Sequence, residues 1–392
     1  MLVHNNFLLI SLLCSFECVI QRSCYRIVNK SLMTSLVLVT ALLCGCGGGQ
    51  SDLSSPPSTS VFESIRARLY AGSTAQLQMF SEADPMPDSL RVRVQKANHI
   101  LAVVAPQAWD VWSISYRYTN LPQVSLLMRS PGNRRLMIYN HGHSGLPSPT
   151  DTFALEFLRD VHKQGHDILL TSMPLTGFNA PLSSESYFTF ARTGTYSVTI
   201  APQLLHDPFA LHGLYELIGD PDHYLHYFLD GGLMPAFALS ASSALSAIYS
   251  PPYLSENNFS FTLKKYSSID YVGLSGGATT GLVSCAVHRF DRCILVAGVM
   301  PDHLRLSFSS NFGDAEQHTR SFYEGFPFDT VLHQAATSSL KLILIFNDRD
   351  TCCFSDPSAT IFKNEYPNFD IRIERLNFHG YIAASLIAAL NE

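Results

Sequence analysis

An apolar run over residues 269–274 leads straight into Gly273-Leu274-Ser275-Gly276-Gly277, and a helical pattern of small residues follows from 278 to 287. The order reads as strand, sharp turn, helix, with a serine at the turn. Glycines two residues before and after that serine keep its surroundings free of Cβ clashes, which a strained turn requires. The Ser275 hydroxyl then stands above a sheet, at a helix N-terminus whose free N–H groups favour a developing negative charge. The five-residue pattern is common by chance, so its meaning depends on the rest of the chain.

Of the 392 residues, 46% are hydrophobic and only 15% charged, with a mean hydropathy of +0.11. That excludes a disordered chain and provides for a large core. A net charge of -6 without a basic run argues against nucleic acid as a partner. No polar linker interrupts the chain after about residue 60, so residues 61–392 are expected to form one domain.

Residues 60–70 read as an amphipathic helix. Segments 90–94, 100–104, 111–118 and 123–128 read as antiparallel strands on the leading edge of a sheet. From there strands and helices alternate. Strand 135–139 ends in Asn140-His141-Gly142-His143-Ser144-Gly145, helix 152–163 stops at Gly165, and strand 167–171 follows. Residues 174–232 exceed what a crossover needs and are dense in aromatics, which suggests a lid or substrate-site wall, and 234–249 reads as the crossover helix. Beyond the serine come strand 293–299, helix 329–336, strand 341–346, strand 369–376 and a terminal helix 381–390. Such alternation implies a mostly parallel central sheet with antiparallel N-terminal strands and helices on both faces.

A serine nucleophile needs a base, an acid that orients the base, and donors for the oxyanion. Asp350 follows the next strand but one after Ser275, and His379 follows the last strand. All three sit just beyond the C-terminal ends of strands, where open α/β sheets place their ligands. Asp348 competes for the acid role but stands nearer its strand end. The oxyanion donors are expected to be the backbone N–H groups of Gly276 and His143. A metal site at His141 and His143, with His223 and His226, is disfavoured for want of a nearby carboxylate or cysteine set. His141 is more simply read as a brace for its loop.

With these residues in place, residues 90–392 resemble the α/β-hydrolase superfamily. Ser172-Met173-Pro174, Gly313-Asp314-Ala315-Glu316-Gln317 and Asp350-Thr351-Cys352-Cys353-Phe354 resemble segments of poorly characterised bacterial envelope hydrolases. That resemblance implies the α/β-hydrolase fold and supports Asp350. It brings no substrate.

The N-terminal region carries a second signal. The apolar stretch 32–43 ends in Leu43-Cys44-Gly45-Cys46, followed by a Gly/Ser/Pro-rich run to residue 60. This resembles a bacterial lipoprotein signal peptide over 28–45, with Cys46 as the lipidated residue and 46–60 as a flexible tether. Residues 1–27 are then expected to be a gene-model extension. Gly47, rather than Asp, after the lipidated cysteine suggests sorting to the periplasmic side of the outer membrane in an organism with two membranes. In an exported chain the folded-part cysteines can oxidise. Cys285 and Cys293 are nevertheless expected as core residues rather than a bridge, and the vicinal Cys352-Cys353 pair as either a ring or free thiols.

Together these expectations describe a lipid-anchored serine hydrolase that acts on an acyl ester, small or glycan-linked, through an acyl-enzyme. It requires no metal or organic cofactor. Two other readings share the sequence: a peptidase or amidase on the same residues, and a non-catalytic hydrolase-like lipoprotein that binds an envelope ligand.

Overall fold

The computed structural model describes residues 60–70, 75–116, 119–131, 135–173, 176–180, 182, 187–191, 195–199, 266–304, 320–352 and 354–392. All belong to one compact unit, Thr59–Glu392. The signal, Cys46, the tether, the crossover helix 234–249 and residues 313–317 lie outside the described residues, as does most of the 174–232 insertion.

Nine strands form a continuous sheet. In chain order they are β1 (Ala75–Ser81), β2 (Ala108–Tyr116), β3 (Thr119–Arg129), β4 (Arg135–Asn140) and β5 (His166–Thr171), then β8 (Ser268–Leu274), β9 (Arg292–Val296), β10 (Lys341–Asn347) and β11 (Asp370–Glu374). Their spatial order is β1-β2-β3-β5-β4-β8-β9-β10-β11. The first three strands are antiparallel to their neighbours, and the remaining six run parallel. A hairpin of β6 (Tyr187–Ala191) and β7 (Thr195–Thr199) joins β3 through a single residue pair, Thr119 with Phe190. With residues 176–180 and 182, it is the described part of the aromatic insertion.

The parallel strands are near-continuous apolar runs because both faces are covered. β5 is buried along its whole length, and β4 is buried at every position but its first. Helix α4 (Thr152–Lys163) is capped by Asp151, whose side chain accepts the Ala154 N–H, and the chain leaves it through Gly165 at φ +92°. Helix α5 (Gly276–Val287) is buried at all twelve positions. The crossed order of β5 and β4, with the serine turn after the central β8, is the α/β-hydrolase arrangement.

Three local expectations are corrected. Residues 90–94 and 100–104 are not strands but helices, α2 (Asp88–Gln95) and α3 (Asn98–Val104). The buried residues Leu90, Val94, Ala97, Ile100 and Val104 recur every three or four positions, while Val92 and Val103 face solvent. The helical period therefore overrides the β-branched composition of these runs. The strand expected over 293–299 stops at Val296, because Ala297 takes φ +46° and turns the chain across the serine turn. Cys285 and Cys293 are both core residues and a disulfide. The chain reverses between α5 and β9, bringing their Cα atoms to 6.5 Å. Cys352 is disulfide-bonded as well. The structure adds elements the sequence did not announce: β1, the β6–β7 hairpin, a short α6 (Arg320–Tyr323) and helix α8 (Ser358–Glu365); α1 (Val61–Tyr70), α7 (Phe328–Ser338) and α9 (Ala383–Asn391) fall close to expectation.

At the end of the sheet opposite Ser275, burial displaces the titration of two neighbouring groups. Burial pushes the Asp270 carboxyl up to about 6 despite the Arg292 guanidinium 3.1 Å away. Burial also pushes His166, 3.9 Å from Asp270, down to about 4. On acidification from pH 6.5 to 4 the native state resists protonating His166, so stability is lost. Over about pH 6 to 4 the native state takes up a proton at Asp270 before the unfolded chain does, so stability is gained. The two slopes oppose each other. Asp270→Asn removes the second and leaves Arg292, partly exposed, to reach solvent. We expect this variant to be more stable above pH 6.5 by about 2 kcal/mol, with the advantage fading towards pH 4. Urea denaturation across that range checks it, and a variant less stable than wild type at pH 7.5 refutes it.

Candidate active site

Ser275 stands between β8 and α5 at φ +56° and ψ −128°. A non-glycine residue there costs on the order of 1–3 kcal/mol, so its surroundings must enforce it. They do so from both sides. The Ser275 N–H donates to the Val296 carbonyl of β9 at 2.9 Å, and its own carbonyl accepts from Ala278 and Thr279. Gly298 lies against that carbonyl so closely that a Cβ would come to 2.0 Å of it.

On the β4 side, Asn140 is fully buried. Its Oδ1 accepts the Gly142 N–H at 3.1 Å, which sends the chain into a 3-10 turn, Gly142–Ser144. Gly142 takes φ +76°, and a Cβ there would stand 2.5 Å from the Leu274 carbonyl oxygen and 3.1 Å from the Gly276 nitrogen. The loop that carries His143 is thus pressed against the serine turn, and glycine is what lets it come so close. The Gly276 N–H opens helix α5, where no intrahelical acceptor exists for it. Both expected oxyanion residues belong to these two touching segments.

His141 braces this loop as expected. Its Nε2 lies 2.9 Å from the Asp151 carboxylate at the start of α4. Burial alone would push Asp151 up, but the hydrogen bonds from His141 and the Ala154 N–H hold it below the usual carboxylate range. Among the described residues no cluster of three or more metal-ligating side chains occurs. His223 and His226 lie outside them.

The expected acid and base meet after β10 and β11. His379 Nδ1 lies 2.9 and 3.1 Å from the two oxygens of Asp350, whose side chain is completely buried. Asp350 Oδ1 also accepts the Cys352 N–H at 2.7 Å. Asp348 is not at the histidine; its carboxylate lies 3.5 Å from its neighbour Arg349. His379 Nε2 is buried and has no hydrogen-bond partner among the described residues. Ser275 and His379 share the C-terminal edge of the sheet, but no hydrogen bond joins them in this resting geometry. Such contacts often tighten only when substrate binds.

Sequence reasoning missed the residues that hold these groups. Asn140 sets the Gly142 turn. Asn347, at the end of β10, contacts the histidine loop. Tyr381 meets Tyr139 through their hydroxyls at 2.6 Å, and burial raises both phenols far above their ordinary range. The only signal for either asparagine was its position, a polar residue closing an apolar strand.

A strained serine at a helix N-terminus and a carboxylate-held imidazole thus lie on the same edge of the sheet. The sequence matches no family model and no curated protein. Among solved structures the chain is similar to acetyl xylan esterase 1 from Thermoanaerobacterium sp., at 12% identity and a TM-score of 0.44, covering 86% of this chain and 94% of that one. It is also similar to an acetyl xylan esterase from Paenibacillus sp. R4, at 13% identity and a TM-score of 0.43, covering 84% and 91%. Est1E from Butyrivibrio proteoclasticus aligns at 11% identity and a TM-score of 0.39, covering 69% and 96%. Likenesses this distant carry no weight for activity, which must be argued from the site.

Proposed function

We propose that the protein is a serine hydrolase that cleaves carboxylic esters through an acyl-enzyme. The observation that carries this reading is Ser275 itself, held at positive φ on the sheet edge that also presents the His379–Asp350 pair. In the reaction Ser275 Oγ attacks the acyl carbon and its proton passes to His379 Nε2. The Gly276 and His143 N–H groups receive the oxyanion. Collapse expels the alcohol, which takes the proton from His379, and a water activated by the same imidazole releases the acid. Asp350 holds the imidazole with Nδ1 protonated, which leaves Nε2 free to accept. Every proton moves between groups named here, so the mechanism is complete without a further cofactor.

The experiment is labelling with a fluorophosphonate, which phosphonylates activated serines, followed by mapping of the modified peptide. We expect one adduct, on Ser275. An unlabelled protein, or an adduct elsewhere, overturns the reading. A panel of acyl esters, acetylated glycans and aminoacyl amides then separates esterase from amidase.

We further propose export and lipid anchoring at Cys46, which rests on the Leu43-Cys44-Gly45-Cys46 motif and the tether after it. Growth with an alkyne fatty acid is expected to tag the wild type and leave Cys46→Ser untagged. Equal tagging of both sinks this proposal.

A further inference from the structure

We infer that Asn347 is a positioning residue for the base, aligning His379 by holding the peptide carbonyls on both sides of it. The inference rests on the hydrolase reading above. Asn347 is the last residue of β10, in register with Glu374 of β11, and its side chain is fully buried. Its Nδ2 donates to the Phe378 carbonyl at 3.1 Å and to the Gly380 carbonyl at 2.8 Å. An amide nitrogen has two hydrogens, so both donors are spent on the residues that bracket His379.

Residues 375–382 belong to no strand or helix, so no ladder fixes the imidazole's backbone. Other ties act on the loop too: Phe354 stacks on the His379 ring at 6.3 Å, and the rest lie to either side of it. The Arg349 N–H reaches the Leu376 carbonyl, Phe378 stacks on Phe153, and Tyr381 meets Tyr139. Among the described residues, Asn347 is the side chain that hydrogen-bonds the loop backbone on both sides of the base. It also stands three residues before Asp350, so one strand end sets both partners of the Nδ1–carboxylate contact at 2.9 Å. Turning the amide over would place Oδ1 against two carbonyl oxygens, so the network fixes its orientation. In that orientation Oδ1 is buried without a hydrogen-bond partner among the described residues. A side chain kept only for stability gains nothing from that desolvated oxygen, whereas one kept for its paired donors must accept it.

Asn347→Asp retains the shape and loses both donors; Asn347→Ala removes the group. The test is ester hydrolysis by both variants, with rates normalised to the folded fraction from circular dichroism, over the full pH range. We expect kcat to fall on the order of 10²-fold, with KM within about twofold, as for a base displaced by roughly 1 Å. The acid limb of the kcat/KM profile should shift, because the imidazole's contact with Asp350 is disturbed. A purely structural role lowers the folded fraction and leaves both kcat per folded molecule and the pH profile unchanged. That result, or a loss carried wholly in KM, overturns the inference. Wild type is read first: if it neither labels at Ser275 nor hydrolyses any ester or amide, the hydrolase reading fails; if it does both and the variants match it, only the role of Asn347 fails.

Discussion

Ser275→Ala is expected to hydrolyse a carboxylic ester about 10⁶-fold more slowly than wild type while melting at an almost unchanged temperature. The size follows from the division of labour at such sites. The nucleophile and base act as one unit, and removing either forfeits nearly all covalent catalysis. What survives, about 10³-fold over water, comes from substrate binding and the oxyanion donors. Those donors remain, because Gly276 and His143 present backbone groups. Stability is spared for a local reason. Alanine keeps the Cβ and bears the positive φ of this position no worse than serine, and the lost hydroxyl makes no capping hydrogen bond to helix α5. The measurement is kcat/KM on an activated acetate ester, paired with a thermal melt. A variant that keeps more than about one part in a hundred of the activity would place the nucleophile elsewhere.

What the sequence disclosed of this site follows from which constraints are local. The strand–turn–helix around Ser275 is written in contiguous residues, so its elements appear where the pattern puts them. Asp350 and His379 were legible because each follows an apolar strand, and β10 and β11 are neighbours in the sheet. Contacts that depend on side chains far apart in sequence were not legible. Asn347 is a polar residue at a strand end until β11 is laid beside it, and the Tyr139–Tyr381 contact spans most of the domain. The errors have the same origin. Residues 90–104 carry β-branched residues in short runs, and only their packing against the core reveals that the buried ones recur at helical spacing. Cys285 and Cys293 flank a reversal whose geometry the spacing alone does not fix.

Asp350→Asn is expected to lower kcat by about 10⁴-fold with KM little changed, and it tests the base more sharply than removing the base does. The exchange keeps size and most contacts: the amide oxygen of the variant can still accept the Cys352 N–H that Asp350 Oδ1 accepts at 2.7 Å in the wild type. The remaining amide group then faces His379 Nδ1. An amide nitrogen donates, so Nδ1 must become the acceptor and the imidazole proton moves to Nε2. Nε2 is the nitrogen that has to accept the Ser275 proton, and in this tautomer it no longer can. The buried negative charge that stabilises the imidazolium is also gone. Loss of activity with an intact fold is therefore the signature of a tautomer, not of a cavity. Asp348→Asn provides the control, since its carboxylate lies beside Arg349 and not at the histidine. We expect it to keep kcat within about threefold, far short of what loss of the orienting acid brings. If Asp348→Asn lost the activity and Asp350→Asn kept it, the histidine would have exchanged one acid for the other during turnover, and the buried pair described here would be a resting arrangement only.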